Sequence, residues 1–142
     1  MQLALGIVCI FLGIFGWLGQ FVSAVNFRLA QKLGLQEAGE HTDILYQRLE
    51  RNTASWDSVS LWTLPVTGIL MLLNHALWPI LALVAGGIHI DTVGRESAKL
   101  LGLNAEGVRI GTVTNKKIAG TLFTLLFGVS VWLVVFAFHS LT

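Results

Sequence analysis

The chain has 142 residues, of which 54% are hydrophobic and only 12% are charged, and its net charge is +1. Soluble domains carry about 25% charged residues, so this composition is typical of a membrane protein. The near-neutral charge provides no electrostatic basis for binding a nucleic acid, and we expect no such partner. The length suits one domain, 1–142. A single cysteine, Cys9, excludes a disulfide within the chain.

The distribution of the charges along the chain is its most informative feature. All nine basic and eight acidic residues fall within two segments, 28–57 and 91–117. The three remaining segments, 1–27, 58–90 and 118–142, carry no charged side chain. A helix of about 20 apolar residues crosses the hydrocarbon core of a bilayer. Each charge-free segment is therefore long enough to contain at least one membrane-crossing helix.

The middle charge-free segment is too long for one crossing and suits two short helices. Pro79 favours a helix start there, because its missing N–H is not needed in a first turn. A re-entrant hairpin that fails to cross is the alternative for this segment. The first segment lacks a basic start and is too long for a signal peptide, so we interpret it as a retained helix. The predicted fold class is an all-α integral membrane protein, a bundle of four transmembrane helices over 2–33, 58–74, 79–101 and 116–138, with polar loops over 34–57 and 102–115.

The basic residues also predict the orientation of the bundle. All nine lie in the two charged segments that contain the polar loops, 28–57 and 91–117, and none lies near either terminus or in the hairpin turn. Because loops rich in lysine and arginine stay on the cytoplasmic side, both loops should be cytoplasmic. The amino and carboxyl termini should then lie on the non-cytoplasmic side. We expect a location in the bacterial inner membrane, with the lipid bilayer as the first partner.

Local patterns predict structure inside the polar loops as well. Residues 43–51 have apolar side chains on one face and arginines on the other, which is typical of a short amphipathic helix. The two helices that enter the loops should continue past the membrane. Each should end at a glycine flanked by leucines, Gly34 for the first helix and Gly102 for the third, since glycine readily adopts the left-handed cap conformation.

Small and polar residues recur every three or four positions in the first and third helices. Small residues let helix backbones approach closely in lipid, where van der Waals packing and hydrogen bonds drive association. The pattern predicts helix-packing seams but does not separate contacts within the chain from contacts between chains. The residues predicted to pack are Gly6, Gly13, Gly16 and Gln20 in the first helix and Ala82 and Gly86 in the third.

Polar residues at the cytoplasmic ends of the helices are the candidates for a ligand site. A guanidinium group can bind both oxygens of a carboxylate or phosphate at once. In the alternative interpretation, the arginines contact lipid headgroups and set the topology, and His89 is a hydrogen-bonded packing residue. The four histidines form no close-spaced pair and have no cysteine partner, so we expect no metal site. The candidate ligand-binding residues are Arg48, Arg51, Asn52, His89, Arg95 and Arg109.

The segment Arg48-Leu49-Glu50-Arg51-Asn52 places arginine and asparagine four residues apart, just before the predicted second helix. In this motif and in its overall helix arrangement, the chain resembles the membrane-associated proteins in eicosanoid and glutathione metabolism. The resemblance implies a homotrimer that binds glutathione between subunits at the cytoplasmic side. Two features of the family pattern are absent, because Ser55 stands where a glutamate is usual and the only tyrosine is Tyr46 rather than one in the third helix.

Three functions are compatible with these patterns. The first is a non-catalytic membrane protein, either a subunit of a larger membrane complex or a lipid-binding homo-oligomer, which needs no cofactor. The second is a divergent glutathione-dependent or lipid-modifying enzyme. The third is a small transporter or channel that uses His89, Asp91 and Glu96 as a polar relay. The absence of a recognisable catalytic set or phosphate-binding loop favours the first.

Overall fold

A computed structural model describes residues 1–142 as a chain of helices without a β-strand. Two helices, the first and the last, are long and apolar enough to cross a membrane. The predicted all-helical fold class is therefore confirmed. The six α-helices are α1 (Gln2–Val25), α2 (Phe27–Lys32), α3 (Ile44–Ser60), α4 (Thr63–Leu72), α5 (Trp78–Ala105) and α6 (Val113–Leu141), with a 3-10 turn at Gly39–His41.

The first helix is shorter than the predicted 2–33. It ends at Val25, and Asn26 adopts an extended conformation before α2 begins. The Asn26 side chain then accepts a hydrogen bond from the backbone N–H of Leu29 at 3.0 Å, which caps α2. Asparagine is a favoured residue for this role, because its side-chain oxygen satisfies one of the unpaired N–H groups of a first turn.

The second predicted helix, 58–74, differs more from the observed structure, in which two helices replace it. Helix α3 begins at Ile44, so much of the predicted 34–57 loop is helical and the short amphipathic helix of 43–51 is the start of a longer one. The helix breaks between Ser60 and Thr63. Pro65 explains the break, because a proline has no N–H to donate to the carbonyl four residues earlier. Together α3 and α4 form one kinked rod.

The turns at the other helix ends follow backbone chemistry. Gly34, just after α2, has a positive φ of +72°, as the cap prediction requires. The matching prediction for Gly102 is wrong, since α5 continues to Ala105 and the left-handed residue is Gly107 with φ +75°. In the turn between α4 and α5, Asn74 has φ +49°. Asparagine tolerates this conformation better than most side chains do.

The helices pack as neighbouring antiparallel pairs. Helix α1 lies against α3 and α4, α4 contacts α5, and α5 lies against α6. One apolar core runs between them, and the Trp78 ring stacks on Phe136 with centroids 5.5 Å apart. The buried members of this core are Leu5, Cys9, Leu64, Met71, Trp78, Ala82, Ala85, Val129, Leu133 and Ala137.

The two charged segments meet at one end of the molecule, away from this core. Thr42 and Ile110 form an isolated antiparallel bridge. The backbone N–H of Asp43 donates to the Arg109 carbonyl at 2.9 Å, and the Asp43 carboxylate accepts from the Arg109 backbone N–H and guanidinium, each also at 2.9 Å. The hydrogen bond from the Arg109 backbone N–H, together with that from its guanidinium, holds the pKa of Asp43 below its ordinary value.

Candidate functional site

A row of paired charges, here called the polar seam, joins α3 to α5. Its members are Glu50 and Asp57 on α3 and Arg95, Glu96 and Lys99 on α5. Glu50 and Asp57 are two helical turns apart and share one face of α3. Arg95 donates from Nη2 to Asp57 Oδ1 at 2.8 Å, and Lys99 Nζ lies 2.6 Å from Glu50 Oε1. The two cations of α5 thus match the two carboxylates of α3.

Lys99 is the centre of the polar seam. Its ammonium lies 2.5 Å from Glu96 Oε2 as well as beside Glu50, so one cation serves two carboxylates. The side chains of Glu50, Glu96 and Lys99 are only 11%, 10% and 15% exposed. Burial raises the pKa of Glu50, and the attraction of Lys99 offsets only part of that rise. The folded state therefore depends on Lys99 to keep two buried carboxylates compensated.

A second feature lies beside the polar seam, where α5 and α6 diverge. A crevice of about 900 Å³ opens between the carboxyl-terminal half of α5 and the amino-terminal half of α6. Ligand pockets usually measure about 300–1,000 Å³ and are mostly apolar with a few polar groups, which describes this crevice. Its apolar walls are formed by Val93, Leu100, Leu101, Ile118, Leu122, Phe123 and Phe127, and its polar mouth by Gln36, Glu37, Asn104, Asn115 and Lys116.

Glu37 is anchored at the mouth of the crevice by the start of α6. Its carboxylate accepts hydrogen bonds from the Thr112 backbone N–H, at 2.5 Å, and from the Asn115 side-chain amide. Burial opposes ionisation, but these hydrogen bonds outweigh it and hold the pKa of Glu37 below its ordinary value. Gly111 permits this approach, since a Cβ at that position would lie 2.7 Å from Glu37 Cγ.

Two further side chains complete the polar end of the crevice. Lys116 Nζ donates to Asn104 Oδ1 at 3.1 Å and so bridges α6 to α5. Tyr46 of α3 lines the crevice on the side of the polar seam. Burial, together with the negative charges of Glu50, Glu96 and Glu37, raises the pKa of Tyr46, so its hydroxyl stays protonated at neutral pH.

The six candidate ligand residues from the sequence do not form one site. His89 is buried, and its Nδ1 bonds the Ala85 carbonyl at 2.8 Å. Arg95 belongs to the polar seam, while Arg109 pairs with Asp43 at an exposed position. The remaining three, Arg48, Arg51 and Asn52, are exposed on α3.

Most of the predicted packing residues lie at helix contacts. A Cβ on Gly6 would lie 3.1 Å from the Gly68 carbonyl, and one on Gly86 would lie 3.1 Å from the Ser130 carbonyl. Gly13 meets the backbone of Pro65, and Ala82 is buried in the core. The other two differ, because Gln20 is half-buried and Gly16 is exposed with no atom within 4 Å of a Cβ placed there.

Sequence reasoning missed both the polar seam and the crevice. A signal for the polar seam was present in the sequence. Glu50 and Asp57 are seven residues apart, which places two acidic side chains on one face of a helix. Arg95 and Lys99 are four residues apart, which places two basic side chains on one face of another. The signal was hidden because α3 was expected to end near Arg51. Nothing in the local sequence indicated the crevice, which depends on α6 leaving α5.

No family model, curated protein or solved structure matches this chain. The resemblance to the glutathione-metabolising family therefore rests on Arg48, Asn52 and the arrangement of the helices. Both residues lie on α3, ahead of the kink into α4, and both are exposed. The resemblance stays a prediction.

Proposed function

We propose that this chain is an integral membrane protein that crosses the bilayer four times and binds lipid, without catalysis, in the crevice between α5 and α6. The observation that carries the proposal is the make-up of the crevice, an apolar cleft with a polar mouth at the charged end of the molecule. An amphiphile has the same division between an apolar tail and a polar head.

The dimensions of the crevice suit one leaflet of a bilayer. Its lining extends along α6 from Lys116 to Phe127. At about 1.5 Å per residue, this distance is about 16 Å. Half of a hydrocarbon core of about 30 Å is about 15 Å. A lipid with its head beside Lys116 would therefore place the end of its tail near Phe127, close to the middle of the membrane.

The outer surface supports the placement in a bilayer. Many large apolar side chains are exposed on α1, α4, α5 and α6, including Phe11, Phe15, Ile69, Ile80 and Trp132. Soluble monomers rarely expose contiguous apolar patches of more than a few hundred Å². Four crossings follow if the charge-free part of the α3–α4 rod, from residue 58 onward, and the first half of α5 accompany α1 and α6 across the membrane.

The lipid site leads to a direct prediction. Ala119→Trp should fill the crevice, because Ala119 lines it beside Phe123. We expect the variant to retain less than about a tenth of the lipid that the parent protein carries through purification in mild detergent, measured by native mass spectrometry. Thr121→Trp is the matched control, since Thr121 lies two residues away on α6, is exposed and does not line the crevice. Equal lipid retention by both variants would argue against this site.

The proposed topology predicts which residues an impermeant thiol reagent reaches. In a Cys9→Ala background, Thr142→Cys should react from the non-cytoplasmic side of sealed vesicles, whereas Lys117→Cys should react only after the vesicles are opened. The reason is the confinement of all nine basic residues to the two charged segments, 28–57 and 91–117, because segments rich in lysine and arginine stay on the cytoplasmic side. The reverse labelling pattern would overturn the orientation.

A divergent glutathione-dependent enzyme is the second candidate. The observation that favours it is the exposure of Arg48 and Asn52 on α3, where a ligand held between two copies of the chain could reach them. Glutathione binding by the purified oligomer, measured by calorimetry, separates this candidate from the first. Binding that is lost in Arg48→Lys would favour the enzyme, because lysine lacks the forked guanidinium geometry.

A further inference from the structure

We infer that the crevice selects a phospholipid whose headgroup is a primary ammonium joined to a phosphate, as in an ethanolamine phospholipid. This inference rests on the proposed lipid site and adds the chemistry of the headgroup. It follows from the presence of one fixed anion, Glu37, and one cation, Lys116, at the same mouth. A zwitterionic headgroup carries both complementary charges on one short chain.

Glu37 has the capacity to bind an ammonium group. An ionised carboxylate offers about four acceptor positions. Two bonds are already present, one from the Thr112 N–H and one from the Asn115 amide. Those bonds also fix the carboxylate in place and hold its pKa below the ordinary value, so the group stays charged at neutral pH. The free lone pairs can accept N–H bonds from a primary ammonium.

The surroundings strengthen this preference for a cation beside Glu37. Tyr46, which lines the crevice, feels the negative charges of Glu50, Glu96 and Glu37. The polar seam as a whole has three carboxylates for its two cations. The polar end of the crevice therefore has an excess of negative charge on the side of α3. A headgroup that is purely anionic would be repelled there.

Lys116 supplies the complementary contact for the phosphate. Its ammonium has three donors, and one is used on Asn104 Oδ1 at 3.1 Å. Two donors remain for phosphate oxygens. Because Asn115 bonds Glu37 and Lys116 is the next residue, the first turn of α6 holds both the anion and the cation at the mouth of the crevice. The two charges of an ethanolamine phosphate, which are joined by a two-carbon linker, can therefore each meet an opposite charge there.

Headgroup competition tests the inference. The full-length protein in mild detergent is mixed with equal amounts of phosphatidylethanolamine, phosphatidylcholine and phosphatidylglycerol that carry the same acyl chains, and bound lipid is counted by native mass spectrometry. We expect the ethanolamine lipid to be preferred about tenfold over each of the others, since a hydrogen bond to a charged group contributes a factor of about this size. The choline headgroup lacks N–H donors, and the glycerol headgroup lacks the cation.

Two variants connect the preference to its residues. Glu37→Gln should abolish the preference for ethanolamine over choline, whereas Glu106→Gln, an exposed glutamate that does not line the crevice, should leave it unchanged. Lys116→Met should weaken binding of all three phospholipids, and Lys117→Met should not. Equal binding of the three headgroups by the parent protein would overturn this inference and leave the lipid site standing. Binding of none of them would overturn both.

Discussion

Lys99→Met is expected to destabilise the protein by about 3–5 kcal/mol, because it leaves Glu50 and Glu96 buried without a cation. The Lys99 ammonium lies 2.6 Å from one carboxylate and 2.5 Å from the other, and the three side chains are largely removed from solvent. Methionine is one atom shorter than lysine and keeps an unbranched apolar stem, so the change acts mainly on charge. The free energy of unfolding, measured by denaturant titration in detergent micelles, is the quantity to compare.

The loss of stability in Lys99→Met should depend on pH in a defined direction. Burial already raises the pKa of Glu50, and without Lys99 it should rise further. A carboxylate with a raised pKa binds more protons in the folded state than in the unfolded state, so stability falls as pH rises through that range. Lys99→Met should therefore be less destabilising near pH 5 than near pH 8. In Glu50→Gln/Lys99→Met, the removal of one carboxylate should restore part of the stability.

Lys117→Met is the matched control for this experiment. Lys117 is exposed on α6, and changes at such surface positions usually alter stability by no more than about 0.5 kcal/mol. A loss in Lys99→Met no larger than that of Lys117→Met would show that the polar seam does not hold α3 against α5.

Gly13→Leu should also destabilise the protein, for a steric reason. A Cβ on Gly13 would lie 2.6 Å from the backbone nitrogen of Pro65 and 3.1 Å from its Cα. The obstacle is backbone in a proline ring, which cannot rotate away as a side chain could. Glycine to leucine gains up to about 1 kcal/mol of helix propensity. Overpacking typically costs about 1–3 kcal/mol, and occasionally more, and here it should exceed that gain because even the first carbon clashes.

Gly16→Leu, one turn along α1, is the control for Gly13→Leu. Gly16 has no atom within 4 Å of an added Cβ, so the gain in propensity should leave the monomer as stable as before, or slightly more stable. Thermal unfolding in detergent compares the two variants, and native mass spectrometry reports their assembly. Loss of an oligomer in Gly16→Leu with an intact fold would place a contact between chains on this side of α1. Equal destabilisation by both variants would contradict a specific contact at Pro65.

The packing of α1 shows how much of a helix contact can be predicted from the spacing of small residues. The spacing of small residues predicted a face for close approach, and Gly6 and Gly13 lie where α4 comes nearest. Gly16 belongs to the same stripe but faces no helix of the chain. A stripe of small residues specifies a direction around the helix axis. Which of its members meet a neighbouring helix depends on how that helix crosses α1.

The candidate arginines show a second limit of prediction from the sequence, which concerns the partners of charged side chains. Their proximity to the charged end followed from the sequence, yet only Arg95 and Arg109 have carboxylate partners, Asp57 and Asp43. Arg48 and Arg51 are as basic and also lie near a charge-free segment, but they are on the exposed face of α3. The direction in which an arginine points depends on the rotation of its helix against its neighbours. The rotation of α3 could not be predicted from the sequence, because the helix was expected to end near Arg51 and not to continue to Ser60.

The helical class and the separation of charged from apolar segments followed from the order of the residues alone, because periodicity and charge are local properties of each stretch of chain. Which charges meet, and where space is left between helices, became known only from the packing of the helices. Glu50 and Lys99 are paired across two helices, and Glu37 reaches Asn115 at the start of α6. Such pairings depend on the register between helices that are distant in the chain. The divergence of α6 from α5, which opens the crevice, likewise depends on contacts that no single segment encodes.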